Sequence, residues 1–210
     1  MNTSQIDDVL NFFYSHADER IRDKLFFGNP YAIIAVYICY IVIISYLLPK
    51  LMKNKNPVNY RIFMSCVDVI LWTRSCYFFS NGFYMWFFKF NWSCQPINQT
   101  DSWLSNYEMM ICYQFVVTKF VYTLQSVVFV MCKKDKSVGT YLLIHHSIFP
   151  LMLWVGANFY PGGHVVFVGF INSIVHLTGA TMRIISAIYH ESSIRKYSKI
   201  LDVYMHVSYC

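Results

Sequence analysis

Charge is what this sequence has least of. Only 13% of its 210 residues are Asp, Glu, Lys or Arg, about half the share found in soluble domains, and that excludes an ordinary globular fold. It also lacks an even set of cysteines. There are seven, and Cys39, Cys66, Cys76, Cys112 and Cys132 fall inside apolar stretches. That excludes a secreted disulfide framework and makes them small apolar packing residues; Cys94 alone sits in a polar loop. No basic segment followed by a short apolar core opens the chain, so no cleavable signal peptide is expected. The net charge of +6 would point to nucleic acid in a soluble protein. Here the bases cluster at the ends of apolar runs, which is the mark of membrane topology, and no nucleic-acid partner is expected.

What the chain has is apolar length. It is 56% hydrophobic and 19% aromatic, and its apolar runs reach the length of a membrane crossing. The expected architecture is all-α, a polytopic transmembrane helical protein. Five complete spans are expected, at about Pro30 to Leu51, Ile62 to Phe88, Met109 to Cys132, Tyr141 to Phe159 and Val165 to Tyr189. Residues 1–28 form a polar tail at the lumenal membrane interface, anchored by Phe12, Phe13, Phe26 and Phe27. Residues 29–199 are the membrane domain. Residues 200–210 begin a further, sixth span that is cut off before it could cross.

Orientation follows from the bases. Lys50, Lys53, Lys55 and Arg61, then Lys133, Lys134 and Lys136, then Arg195, Lys196 and Lys199 fall in one set of loops; the other set holds Lys89 alone. By the positive-inside rule the basic loops face the cytosol and the N-terminus is lumenal. The sequons at Asn91 and Asn98 then face the lumen, as would one at Asn2. Inside the spans, Asp68 and Arg74 are six residues apart, do not share a helix face and are not expected to pair. The aromatic run Phe78 to Phe88 reads as a lipid-facing belt, with a wall around a substrate chain as the alternative.

The stretch from Lys119 to His176 carries the candidate chemistry. It holds Lys119, the basic turn at Lys133-Lys134, His145-His146, Pro150, Trp154, Gly162-Gly163, Asn172 and His176. Imidazole and ammonium groups are costly in apolar surroundings unless partnered, so such residues inside spans are candidate site residues. Asn172 lies one turn before His176 and shares its face. His145 and His146 point about 100° apart on a helix and cannot play one identical role. Two histidines are too few ligands, and no H-x-E-x-x-H pattern exists, so no metal is expected. The plain alternative is that these residues are polar contacts holding three helices together.

In this spacing the stretch resembles the very-long-chain fatty acid elongases, whose pattern is K-x-x-E-x-x-D-T, a basic turn, H-x-x-H-H, Pro, Trp, Gly-Gly and N-x-x-x-H. Here Tyr122 stands for the glutamate, Gln125 for the aspartate, Ser126 for the threonine and Leu142 for the first histidine. The family's M-Y-x-Y-Y run is replaced by Gly179 to Arg183, where Arg183 is expected to reach the cytosolic interface. The Asp18-x-Arg20-x-x-Asp23 element also stands where the family has it.

The resemblance implies a seven-span bundle or barrel in the endoplasmic reticulum membrane. It implies condensation of malonyl-CoA with a long-chain acyl-CoA, without a further cofactor. His145 would be the acyl-accepting nucleophile, with His146 beside it and His176 polarising the thioester. Lys119 and Asn172 would bind substrate. An alternative is an inactive homologue that binds acyl chains or pairs with an active elongase. With fewer spans than the family, Lys119 and His146 would face lipid or an open groove, and self-association or pairing with an elongase would cover them.

Overall fold

The computed structural model describes residues 3–58, 60–133 and 136–188. Asn2, Lys134, Arg195, Lys196, Lys199 and the expected sixth span lie outside them. Within them the fold is helical: α1 is Thr3–His16, α2 Pro30–Val42, α3 Leu48–Met52, α4 Tyr60–Phe88, α5 Trp103–Met131, α6 Lys136–Phe159 and α7 Val165–Ile188. A π-helical turn, Ile43–Leu47, joins α2 to α3 in one continuous rod. Pro49 explains the turn. It has no N–H for the Ser45 carbonyl and its ring would strike that carbonyl, so widening the preceding turn keeps the helix going.

Among the described residues, three helices are long and apolar enough to cross a membrane: Pro30–Met52, Trp103–Val128 and Val165–Ile185. α4 and α6 have the length, at 29 and 24 residues. Asp68, Arg74 and Asn81 in one, and Lys136 with His145-His146 in the other, dilute their apolarity. The rod from Pro30 is the most lipid-like surface. Ile34, Ile38, Ile41, Val42, Ile43, Tyr46, Leu47 and Leu51 are all exposed along it.

The loops sort to opposite ends of the bundle. At one end Arg20 donates to the Asn98 carbonyl and the Gly163 N–H donates to Glu108, so the N-terminal segment, the loop after α4 and the turn after α6 meet. At the other end the Val58 N–H donates to the Met131 carbonyl, and Lys133 reaches the Lys53 carbonyl. This is the alternation that the distribution of lysine and arginine anticipates.

The N-terminal segment is built into the protein, not laid on its surface. Ile21 is fully buried, the Asp18 N–H donates to the Asn158 carbonyl and the Trp154 indole donates to the Phe26 carbonyl at 2.7 Å. Of the four phenylalanines expected as membrane anchors, only Phe12 is exposed. Phe13 stacks on Trp154, Phe26 lies against Phe120 and Phe27 against Tyr113. Gly28 makes this close approach possible. Its φ is 71°, and a Cβ there would sit 2.5 Å from the Arg22 carbonyl oxygen.

Three other expectations are corrected. Arg183 does not leave the bundle for an interface. Its guanidinium meets Asp68 at 2.8 Å, with the two side chains only 16% and 3% exposed, and this ion pair ties α7 to α4. Asp68 and Arg74 indeed do not pair; Arg74 donates to Thr118 and Gln114 on α5. The aromatic run divides by helix face. Phe78 and Met85 are buried in the core, whereas Phe83, Tyr84, Phe87 and Phe88 are exposed. Cys112 and Cys132 are buried packing residues, but Cys39 and Cys66 lie on the outer surface.

Candidate functional site: a histidine and lysine pocket beside an apolar cavity

The pocket is assembled by α5, α6 and α7. Its described lining residues are Lys119, Tyr122, His145, His146, Phe149, Pro150 and His176, around a small space of about 10 Å³. α5 supplies Lys119 and Tyr122 one turn apart, α6 supplies the adjacent histidines, and α7 supplies His176 with Asn172 one turn before it. Pro150 has a local role here. It lacks the N–H that would close the helix onto the carbonyl of His146, four residues earlier, so α6 is loosened at its histidines.

Lys119 is the centre. It is 3% exposed, its ammonium donates to Asn172 Oδ1, and it lies 3.5 Å from His176 Nε2. It also stands over the rings of Phe115 and Tyr122 at 4.6 Å and of Phe149 at 5.4 Å. Neutral oxygen and aromatic faces thus take the place of water around a buried cation. Lys119 and His146 were expected to face lipid or a groove; instead both are buried between helices.

The two adjacent histidines differ, as their 100° offset requires. His146 is buried and its Nδ1 is 3.0 Å from Ser126 Oγ, which fixes the ring. His145 is partly exposed to the pocket and stacks on Phe149, one turn on. Tyr122 is buried where the elongase pattern has glutamate. Its hydroxyl is 2.9 Å from Ser75 Oγ and its ring lies 4.2 Å from that of His176. The structure therefore brings Lys119, His145, His146, Asn172 and His176 together. Among the described residues, no three of His, Cys, Asp and Glu converge as metal ligands would.

A second, apolar cavity of about 30 Å³ is walled by Phe78, Ile111, Phe115, Val116, Ala157 and Phe170 among others. Phe115 belongs to both regions, because its ring lines the cavity and lies under the Lys119 ammonium. One turn before Cys112 on α5, Glu108 is 3% exposed and accepts the Gly163 N–H at 3.1 Å. A Cβ at Gly162 would lie 2.8 Å from the same carboxylate, so the Gly-Gly turn fits under Glu108 only without side chains. Sequence reasoning missed Glu108, Ser75 and the Asp68–Arg183 pair, since nothing in the local pattern marks partners that lie tens of residues away.

Residues 25–204 match the model of the GNS1/SUR4 family. The chain belongs to that family. It is 32% identical over 181 residues to Very long chain fatty acid elongase 7 of Drosophila melanogaster, covering 81% of this chain and 54% of that protein. It is 30% identical over 179 residues to Very long chain fatty acid elongase 1 of Homo sapiens, covering 82% of this chain and 63% of that protein. An Aedes aegypti elongase matches at 28% identity over 186 residues, with 87% and 51% covered. The chain thus spans between about half and under two thirds of the length of these curated relatives.

Proposed function

We propose that this chain is a multi-pass protein of the endoplasmic reticulum membrane that works in fatty acid elongation. Its reaction is condensation of malonyl-CoA with a long-chain acyl-CoA to give 3-oxoacyl-CoA, CoA and carbon dioxide. The observation that carries the proposal is the convergence of Lys119, His145, His146 and His176 on one pocket beside an apolar cavity. The family relationship supplies the reaction class. The acyl chain lies in the cavity and its thioester reaches the pocket.

His145, the accessible imidazole of the pair, attacks the thioester carbonyl. A C–N bond forms, the C–S bond breaks, and the thiolate leaves as CoA. Loss of carbon dioxide from the malonyl group yields an enolate, which attacks the same carbonyl; a C–C bond forms and the imidazole is released. His146, held by Ser126, keeps the α6 histidines in register, and His176 faces the reacting carbonyl. Lys119 and Asn172 hold an anionic part of the substrate. Five helices cross the bilayer with the N-terminal segment lumenal, and glycans are accepted at Asn91 and Asn98, both of which are exposed.

A second reading is favoured by one observation. No described residue lining the pocket is a carboxylate, and Tyr122 cannot supply the negative charge that would raise histidine basicity. On this reading the chain binds acyl groups without condensing them, alone or with another elongase. Incorporation of labelled malonyl-CoA into acyl-CoA by the purified protein decides between them. Condensation that falls at least about 100-fold in His145→Ala supports the enzyme. A folded wild-type protein that binds acyl-CoA but yields no product supports the second reading.

A further inference from the structure

Among the described residues, α4 supplies none of the pocket's lining, yet it is fastened to two of the helices that do. Asp68, Trp72 and Ser75 follow one another at spacings of four and three, so they share one face of α4. Asp68 meets Arg183 and the Trp72 indole donates to Thr181 at 2.9 Å, both on α7. The hydroxyls of Ser75 and Tyr122 on α5 meet at 2.9 Å, and of these three partners Tyr122 is the one that lines the pocket. Ser75 is fully buried, and its hydroxyl is used differently from its neighbours'. Thr73, Ser80, Thr118 and Ser147 each turn theirs back onto the carbonyl four residues earlier, as a hydroxyl in a helix readily does. Ser75 instead reaches across to another helix.

Tyr122 touches two groups of the pocket. Its ring centroid lies 4.2 Å from that of His176, with the planes 54° apart, and the Lys119 ammonium sits over it at 4.6 Å. A partner at the phenol tip fixes where that ring lies. Without it the hydroxyl would be buried and unpaired, a cost that the side chain relieves by swinging toward another polar group. We propose that Ser75 is a positioning residue of the histidine pocket, holding the Tyr122 ring against His176 and beneath the Lys119 ammonium. A carboxylate where Tyr122 stands would orient a histidine by charge and hydrogen bond. Tyr122 does it by ring contact, with its hydroxyl committed to Ser75. The effect on turnover rests on the reading of this pocket as the condensing site; the placement of His176 does not.

NMR of the full chain in lipid nanodiscs, with carbon-13 at the histidine Cε1 positions and pH held constant, tests this. The His176 signal is the one lost in His176→Gln. It should move in Ser75→Ala and in Tyr122→Phe, which break the same bond from opposite ends. The double variant should move it by less than the two shifts added. Trp72→Phe, which breaks the neighbouring bond to Thr181, should leave it in place. In the malonyl-CoA assay Ser75→Ala should lower kcat about tenfold with KM unchanged, because no group that meets substrate is lost. Should Ser75→Ala fail to fold, Tyr122→Phe and Trp72→Phe still decide. A His176 signal that stays put in whichever of Ser75→Ala and Tyr122→Phe fold overturns the proposal, and so does an equal shift in Trp72→Phe. The expected shifts with no condensation by the wild type sink the enzymatic reading alone; condensation with an unmoved His176 sinks this inference alone.

Discussion

The two polar centres of this protein are built in opposite ways. At the end where the N-terminal segment meets the bundle, each acid faces its donors. Asp18 is bound by Arg20, and Arg20 also reaches Ser105 and the Asn98 carbonyl. Glu108 accepts from the backbone of the Gly-Gly turn. At the histidine pocket the balance is reversed, with a buried ammonium and three imidazoles against neutral oxygens and rings. A centre that only has to hold helices together can pair its charges completely. The other, among the described residues, surrounds its buried ammonium with neutral oxygens and rings in place of an acid.

The largest effect is expected at the ion pair that borders the pocket. Asp68→Ala leaves the Arg183 guanidinium uncompensated between helices and should lower stability by about 3–5 kcal/mol, read as unfolding in detergent. Removing both charges with Asp68→Ala and Arg183→Met should recover most of that loss. If the double variant is no better than the single one, the pair is not a matched charge centre and the comparison fails.

Next is the close approach at Gly28. An alanine there combines a left-handed φ with a Cβ 2.5 Å from the Arg22 carbonyl oxygen. It should cost about 1–3 kcal/mol and loosen the N-terminal segment, seen as faster proteolysis after His16. Unchanged proteolysis would mean that the segment is not clamped. Ser126→Ala, which removes the contact to His146, should lower stability by only about 1 kcal/mol. Its larger effect should be on turnover, so equal losses in folding and turnover would assign Ser126 to the structure alone.

The smallest effect is a pH dependence. Burial of Asp18 opposes its ionisation, but the hydrogen bonds and charge of Arg20 outweigh it and hold the carboxyl below the ordinary carboxylate value. Its stabilising contribution is therefore complete above about pH 4, near the unfolded value, and fades as pH falls through the folded value. Asp18→Asn should flatten the acid limb of the stability curve. An unaltered limb would show that other carboxylates set it.

Much of the architecture was legible because membrane helices write themselves as long apolar runs, and the rod beginning at Pro30 is the plainest instance. The pocket residues were legible as well, since Asn172 and His176 share a face by spacing alone and the histidines stood out against apolar surroundings. Their assembly around Lys119 was not. It depends on how α5, α6 and α7 cross, which no local pattern encodes. Arg183 misled for the same reason, because its partner Asp68 lies 115 residues away. Phe13, Phe26 and Phe27 were read as membrane anchors because an aromatic ring suits lipid and protein interior equally well. Only the fold, through Trp154 and Asn158, draws them inside.

The central claim is that the histidine pocket and the apolar cavity form one acyl site. The most direct test is photocrosslinking with a long-chain acyl-CoA bearing a diazirine at the chain terminus, followed by peptide mapping. The account predicts adducts on cavity residues such as Phe78, Cys112 and Val166, competed by unlabelled acyl-CoA. Adducts confined to the outer face of the first rod, at positions such as Ile38 and Tyr46, and indifferent to competitor would contradict it.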